Sequence, residues 1–180
     1  MTTTFLKTMS SRLFSRNNII VLISSLLASL FVYTGLNKLM DNDVFKAQLG
    51  RSPFIQGMAG IIATALPTGE LLIAILLCIP PANQTKLRLP GSLKLFLSRF
   101  PSARLLGLYL SYGLMLLFTG YIYIMLHYAY DLPCSCGGVL SSLSWKDHLI
   151  FNSIFTIIAF VGVILQTSIS RIGPKTNKYI

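Results

Sequence analysis

The chain has 180 residues, 53% of them hydrophobic and only 11% charged, with a mean hydropathy of +0.68; soluble domains average about 25% charged residues, so the composition excludes an ordinary soluble domain and predicts a membrane protein. The net charge of +10 is not read as nucleic-acid binding, because the basic residues avoid the apolar runs and collect in particular loops. Three cysteines are too few for a disulfide scaffold.

Residues 1–18 are polar and basic, with Lys7, Arg12 and Arg16 and no acid. Asn17 to Asn37 then carries no charge. A helix needs about 20 apolar residues to cross the hydrocarbon, so a first span is predicted over about 18–37. The run is longer than the apolar core of a signal peptide. It also ends in Tyr33-Thr34-Gly35-Leu36-Asn37-Lys38, a poor cleavage site, so a retained helix is expected. The first loop follows, with Lys38, Asp41, Asp43, Lys46 and Arg51. In it Leu39, Val44, Phe45 and Leu49 are spaced for a short helix lying on the surface, ended by Pro53.

The second span is predicted over about 57–80 and contains Pro67 and Glu70. Pro67 removes a backbone hydrogen bond one turn before Glu70 and predicts a kink. The second loop holds Lys86, Arg88, Lys94, Arg99 and Arg104 without an acid. After Pro90-Gly91-Ser92, the residues Leu93, Phe96, Leu97 and Phe100 recur at helical spacing, which predicts a helix lying in the membrane interface. The third span, about 105–128, ends among Tyr121, Tyr123 and Tyr128, residues that prefer the headgroup level. Then comes Leu132-Pro133-Cys134-Ser135-Cys136-Gly137-Gly138. Ser144-x-x-Asp147 resembles a capping box and opens the fourth span, about 147–169, before a tail at 171–180.

Cations mark the cytoplasmic side. The N-terminal segment, second loop and C-terminal segment are basic and acid-free, whereas Asp41, Asp43, Asp131 and Asp147 all fall in the first and third loops. The expected fold is therefore all-α: four transmembrane helices in an antiparallel bundle, both termini cytoplasmic, with the interfacial helix in the second loop. The first loop and the cysteine loop face outward together, and the lipid bilayer is the first partner.

A Cys134–Cys136 disulfide would close a loop too short to restrict the unfolded chain, so it would add little stability. Its strained geometry would make it easy to reduce, and exposed, strained disulfides are the labile, reactive kind. Gly137-Gly138 lets a partner backbone approach closely, and the N-terminus of the fourth helix favours a thiolate nearby. Two alternatives stand beside redox exchange. One is two ordinary loop thiols. The other is a copper(I) or zinc site completed by His127 and His148, which bracket the loop. His148 is a polar residue at the bilayer edge or a base toward Cys134 or Cys136.

Glu70 lies about 20 Å from Gly57 at about 1.5 Å per residue, past the bilayer midplane. A carboxylate there is costly and needs a partner. In a structural role it is protonated and bonded to Ser24, Ser25, Ser29 or a tyrosine; in a functional role it is a proton relay or a quinone contact. Cys78, near the inner end of the same helix, reads as a packing residue.

Four features resemble the MauE/DoxX family of redox-associated membrane proteins, nearest its MauE branch: Gly35-x-x-Lys38-Leu39, Ser52-Pro53-Phe54, Pro67-x-x-Glu70-Leu71 and Cys134-x-Cys136-Gly137. They occur in this order over roughly residues 18–170. The resemblance implies a four-helix protein of the bacterial plasma membrane. It further implies a role in redox supply or maturation of an extracytoplasmic partner, thioredoxin-like or disulfide-containing, as MauE serves methylamine dehydrogenase. The frame is also similar to disulfide-forming quinone reductases and vitamin K epoxide reductases. Those use two cysteine pairs, whereas this chain has one pair plus Cys78; an accessory redox subunit fits that departure better than an independent quinone-coupled enzyme. The expected function is thiol–disulfide exchange through Cys134 and Cys136, with Glu70 and His148 assisting. The rival classes are metal handling through Cys134, Cys136, His127 and His148, and a non-catalytic structural subunit of a membrane complex. No cofactor is named by the residues, although a quinone is compatible with them.

Overall fold

The computed structural model describes residues 15–52, 55–79, 103–128 and 144–172, with side chains to residue 168. The predicted interfacial helix in the second loop and the cysteine loop lie outside these residues. The described chain is all-helical: α1 (Arg16–Met40), α2 (Asn42–Gly50), a short 3-10 turn (Gln56–Met58), α3 (Ala59–Cys78), α4 (Ala103–Tyr128) and α5 (Trp145–Ile172). Four stretches are long and apolar enough to cross a membrane: Arg16–Met40, Gln56–Cys78, Ala103–Tyr128 and Trp145–Ser168.

The four long helices form a ring in which α1 contacts α3, α3 contacts α4, α4 contacts α5, and α5 returns to α1. Neighbours run antiparallel. Near one end Lys38 of α1 meets Glu70 of α3, while Gly107 of α4 lies against Leu77 of α3 at the other. The central core is Leu27 and Phe31 of α1, Leu77 of α3, Leu108 and Met115 of α4 and Ala159 of α5. Lipid tails are as apolar as leucine, so helix association rests on close packing rather than on escape from water. Small residues supply that closeness. A Cβ at Gly35 would lie 3.2 Å from the Pro67 carbonyl oxygen and from the Leu71 side chain.

Several polar side chains within the spans find partners inside the protein, as a medium without water favours. Ser111 donates to the Gly107 carbonyl at 2.7 Å, and the Thr119 and Thr156 hydroxyls lie 3.1 Å apart across α4 and α5. At the start of α5 the Ser144 hydroxyl accepts the Asp147 N–H at 3.2 Å and donates to Asp147 Oδ2 at 2.6 Å. The aspartate is too short for a full reciprocal box and bonds the hydroxyl instead of the backbone.

Three expectations change. The first helix does not stop at Asn37. It continues to Met40, so Lys38 belongs to its last turn and not to the loop. The short helix of the first loop does form, but it docks inward instead of lying on the surface: Phe45 and Leu49 are buried with Ala59 and Ala63 of α3. Cys78 is exposed at the end of α3 and does not serve as a packing residue.

The docking of α2 has a local cause. Pro67 has no N–H, so the Ala63 carbonyl loses its helical donor. Asn42 Nδ2 donates to that carbonyl at 2.9 Å. The side chain that opens α2 thus satisfies the acceptor that Pro67 orphans in α3. Asn42→Ala should cost about 1 kcal/mol through the lost bond and loosen α2. Limited trypsin digestion at the exposed Lys46 checks this: faster cleavage is expected, and an unchanged rate would show that Phe45 and Leu49 hold α2 without Asn42.

Candidate functional site

The sequence features at Gly35, Pro67 and Ser52 are far apart along the chain and meet at one end of the bundle. Gly35 admits the backbone of α3 at Pro67, and this approach brings Lys38 and Glu70 into register. Lys38 Nζ bonds Glu70 Oε1, and Thr34 Oγ1 donates to Glu70 Oε2 at 3.2 Å. The Lys38 ammonium also sits over the ring of Phe118, 5.1 Å from its centroid, and 5.8 Å from that of Phe45. These aromatic faces add cation–π attraction where water is scarce. The lysine side chain is 10% exposed and the glutamate 1%. At that depth each charge depends on the other, since an ion taken from water without its counter-ion is very costly.

Ser52 is fully buried as well. Its hydroxyl accepts from Tyr121 at 2.9 Å and lies 4.0 Å from the Met125 sulfur, tying the end of the first loop to α4.

Lys38 and Glu70 line a cavity of about 430 Å³. Its walls are largely apolar and aromatic, including Phe31, Phe45, Phe118, Trp145 and Phe151. The polar side chains lining it include Thr34, Lys38, Glu70, Tyr121, His148 and Asn152. An apolar hollow with a few convergent polar groups is the usual form of a small-molecule site, and the volume falls in the range of about 300–1,000 Å³ for such sites.

Of the residues singled out from sequence, Glu70 and His148 both line this cavity. His148 Nδ1 is buried without a hydrogen-bond partner among the described residues. His127 is placed differently: it is exposed, its Nδ1 lies 2.9 Å from the Tyr123 carbonyl, and its ring lies 4.2 Å from that of Tyr123. The serines proposed as partners of Glu70 do not fill that role. Ser25 is exposed and bonds the Leu22 carbonyl, Ser29 is exposed, and the buried Ser24 hydroxyl has no partner among the described residues. Glu70 instead stands level with the C-terminal end of α1, between Thr34 and Lys38.

Cys134 and Cys136 lie outside the described residues. The two helix ends that flank their loop are described: α4 ends at Tyr128, and α5 begins at Trp145 after Ser144. Trp145 and His148, in the first turn of α5, line the cavity. The chain therefore leaves and re-enters the bundle for the cysteine loop at the end that holds the cavity and the ion pair.

Lys38, Thr34, Tyr121, Trp145 and Asn152 were missed as site residues. One available signal was Glu70 itself: a carboxylate in a span demands a partner, and Lys38, already marked in Gly35-x-x-Lys38-Leu39, was a cation near a span end on the antiparallel neighbour.

These features define a multi-pass helical membrane protein that encloses an ion pair and a small-molecule-sized cavity at one end of its bundle. The family model for methylamine utilisation protein MauE matches residues 16–98 and 91–165, and the chain belongs to that family. No curated protein and no solved structure matches it.

Proposed function

We propose that the protein is a plasma-membrane thiol–disulfide exchange protein, or an accessory subunit of one, that serves an extracytoplasmic partner through Cys134 and Cys136. One cysteine attacks a partner disulfide and the other resolves the mixed disulfide. The single observation that carries this reading is the convergence at one bundle end: the first turn of α5, which follows the cysteine loop, brings Trp145 and His148 to the cavity that Lys38 and Glu70 line, and His148 Nδ1 has no partner among the described residues. His148 acts as a base toward the attacking thiol, and Glu70 positions Lys38 beside it. Family membership adds support, because the family is described by its part in methylamine utilisation; a secreted, disulfide-containing partner is the natural recipient. The basic segments at 1–18, 82–104 and 171–180 face the cytoplasm in this reading, which puts the cysteine loop in the oxidising compartment.

The test uses a Cys78→Ser background. A membrane-impermeant thiol reagent applied to intact cells should label Cys134 and Cys136 more strongly after mild reduction. Cys134→Ser or Cys136→Ser should then trap a mixed disulfide with a secreted protein. Labelling that requires cell permeabilisation would place the loop in the cytosol and end the proposal.

A further inference from the structure

The cavity opens sideways. Leu117 and Tyr33 both line it and are 72% and 40% exposed on the outer surface of the helices. That outer surface belongs to the apolar stretches Arg16–Met40 and Ala103–Tyr128, so a ligand reaches the cavity from the bilayer and must be lipid-soluble. Charge narrows the class further. The Lys38 ammonium is already neutralised by Glu70, so an anionic ligand would leave a net negative charge buried, and a cationic one would find Glu70 taken. A neutral ligand incurs neither cost.

The hydrogen-bonding inventory asks for an acceptor. An ammonium has three N–H donors and Glu70 accepts one. A neutral imidazole carrying its proton on Nδ1 offers another, and His148 Nδ1 has no partner among the described residues. The aromatic walls suit a flat ring, which stacks or meets them edge to face. A flat, neutral, lipid-soluble molecule with carbonyl acceptors on its ring satisfies all of these requirements.

We propose that the cavity between Lys38, Phe118, Trp145 and His148 is a binding site for a membrane quinone, with Lys38 and His148 donating to its carbonyl oxygens. The binding site stands on the cavity alone; the redox step rests on the thiol–disulfide reading. In that step Cys134 and Cys136 lose two electrons and two protons as their S–S bond forms. The quinone gains both, and its two carbonyl oxygens become hydroxyls. A cationic donor beside an oxygen that gains electron density favours this direction.

Trp145 is the only tryptophan in the chain and lines the cavity, so it reports occupancy directly. The probe is a decyl-substituted benzoquinone whose ring is fully substituted, so that thiols cannot add to it. Added to the purified full-length protein in nanodiscs, it should quench Trp145 fluorescence saturably. His148→Leu should weaken binding about tenfold, as expected for one lost hydrogen bond. The double variant Lys38→Met/Glu70→Met keeps the site neutral and should weaken it at least as much. Decylbenzene and decanoate should not displace the probe, the first lacking an acceptor and the second carrying a charge. Quenching that rises linearly with probe, equal affinity in both variants, or displacement by decylbenzene would overturn the site. Cys134→Ser/Cys136→Ser should bind the probe normally, while only the reduced unsubstituted protein should convert it stoichiometrically to the quinol. Saturable binding without conversion would keep the site and defeat the redox step alone.

Discussion

Lys38→Met should destabilise the bundle by about 3–5 kcal/mol, the cost of leaving a buried carboxylate without its counter-ion. Glu70 is 1% exposed and its two oxygens are served by Lys38 and Thr34. Without the lysine only the Thr34 hydroxyl remains to it. The double variant Lys38→Met/Glu70→Met should recover most of the loss, because well-packed apolar residues replace a buried ion pair at little or no cost. Denaturation midpoints in detergent for the two singles and the double give the coupling energy. Additive single effects would mean that the pair is not coupled and that its geometry contributes nothing to stability. The pair is therefore an expensive way to join two helices, and its position beside a cavity argues that it is kept for what it presents there.

Gly107→Leu should separate α3 from α4 and prevent a stable bundle, and even Gly107→Ala should be destabilising by about 1–3 kcal/mol, the usual cost of overpacking. An added Cβ at this position would lie 3.1 Å from the Leu77 backbone nitrogen and 3.3 Å from the Leu76 carbonyl carbon. Backbone atoms in the last turn of α3 cannot yield as a side-chain tip can. Alanine's helix propensity returns up to about 1 kcal/mol, which is too little to offset that contact. Gly120 on the same helix is the control: an added Cβ there has no neighbour within 4 Å. Gly120→Ala should thus be neutral or stabilising by up to about 1 kcal/mol. Thermal unfolding of both variants checks the contrast. Equal behaviour would show that the α3–α4 contact at Gly107 is looser than described.

The two contacts belong to one design. Gly107 at one end and Gly35 at the other let α3 lie close against α4 and α1, and the same closeness carries Glu70 to Lys38. Lipid offers no hydrophobic drive between helices, so such contacts set rotation and register more strictly than they do in a water-soluble bundle.

The four spans were legible from hydropathy, because crossing the hydrocarbon demands an uninterrupted apolar run of a given length and that demand is met locally. The start of α5 was legible for the same reason: Ser144 and Asp147 are three residues apart and their bond forms within one turn. Glu70 was legible as a residue in need of a partner, but its partner was not. Lys38 looked like the charge that ends a span, since a cation beside an apolar run ordinarily does. Its place inside α1, the inward docking of α2 by Asn42, and the cavity between Lys38 and His148 depend on how the helices are rotated against one another. Those rotations come from contacts between residues remote in the chain, such as Gly35 with Pro67 and Asn42 with Ala63, and no local pattern encodes them.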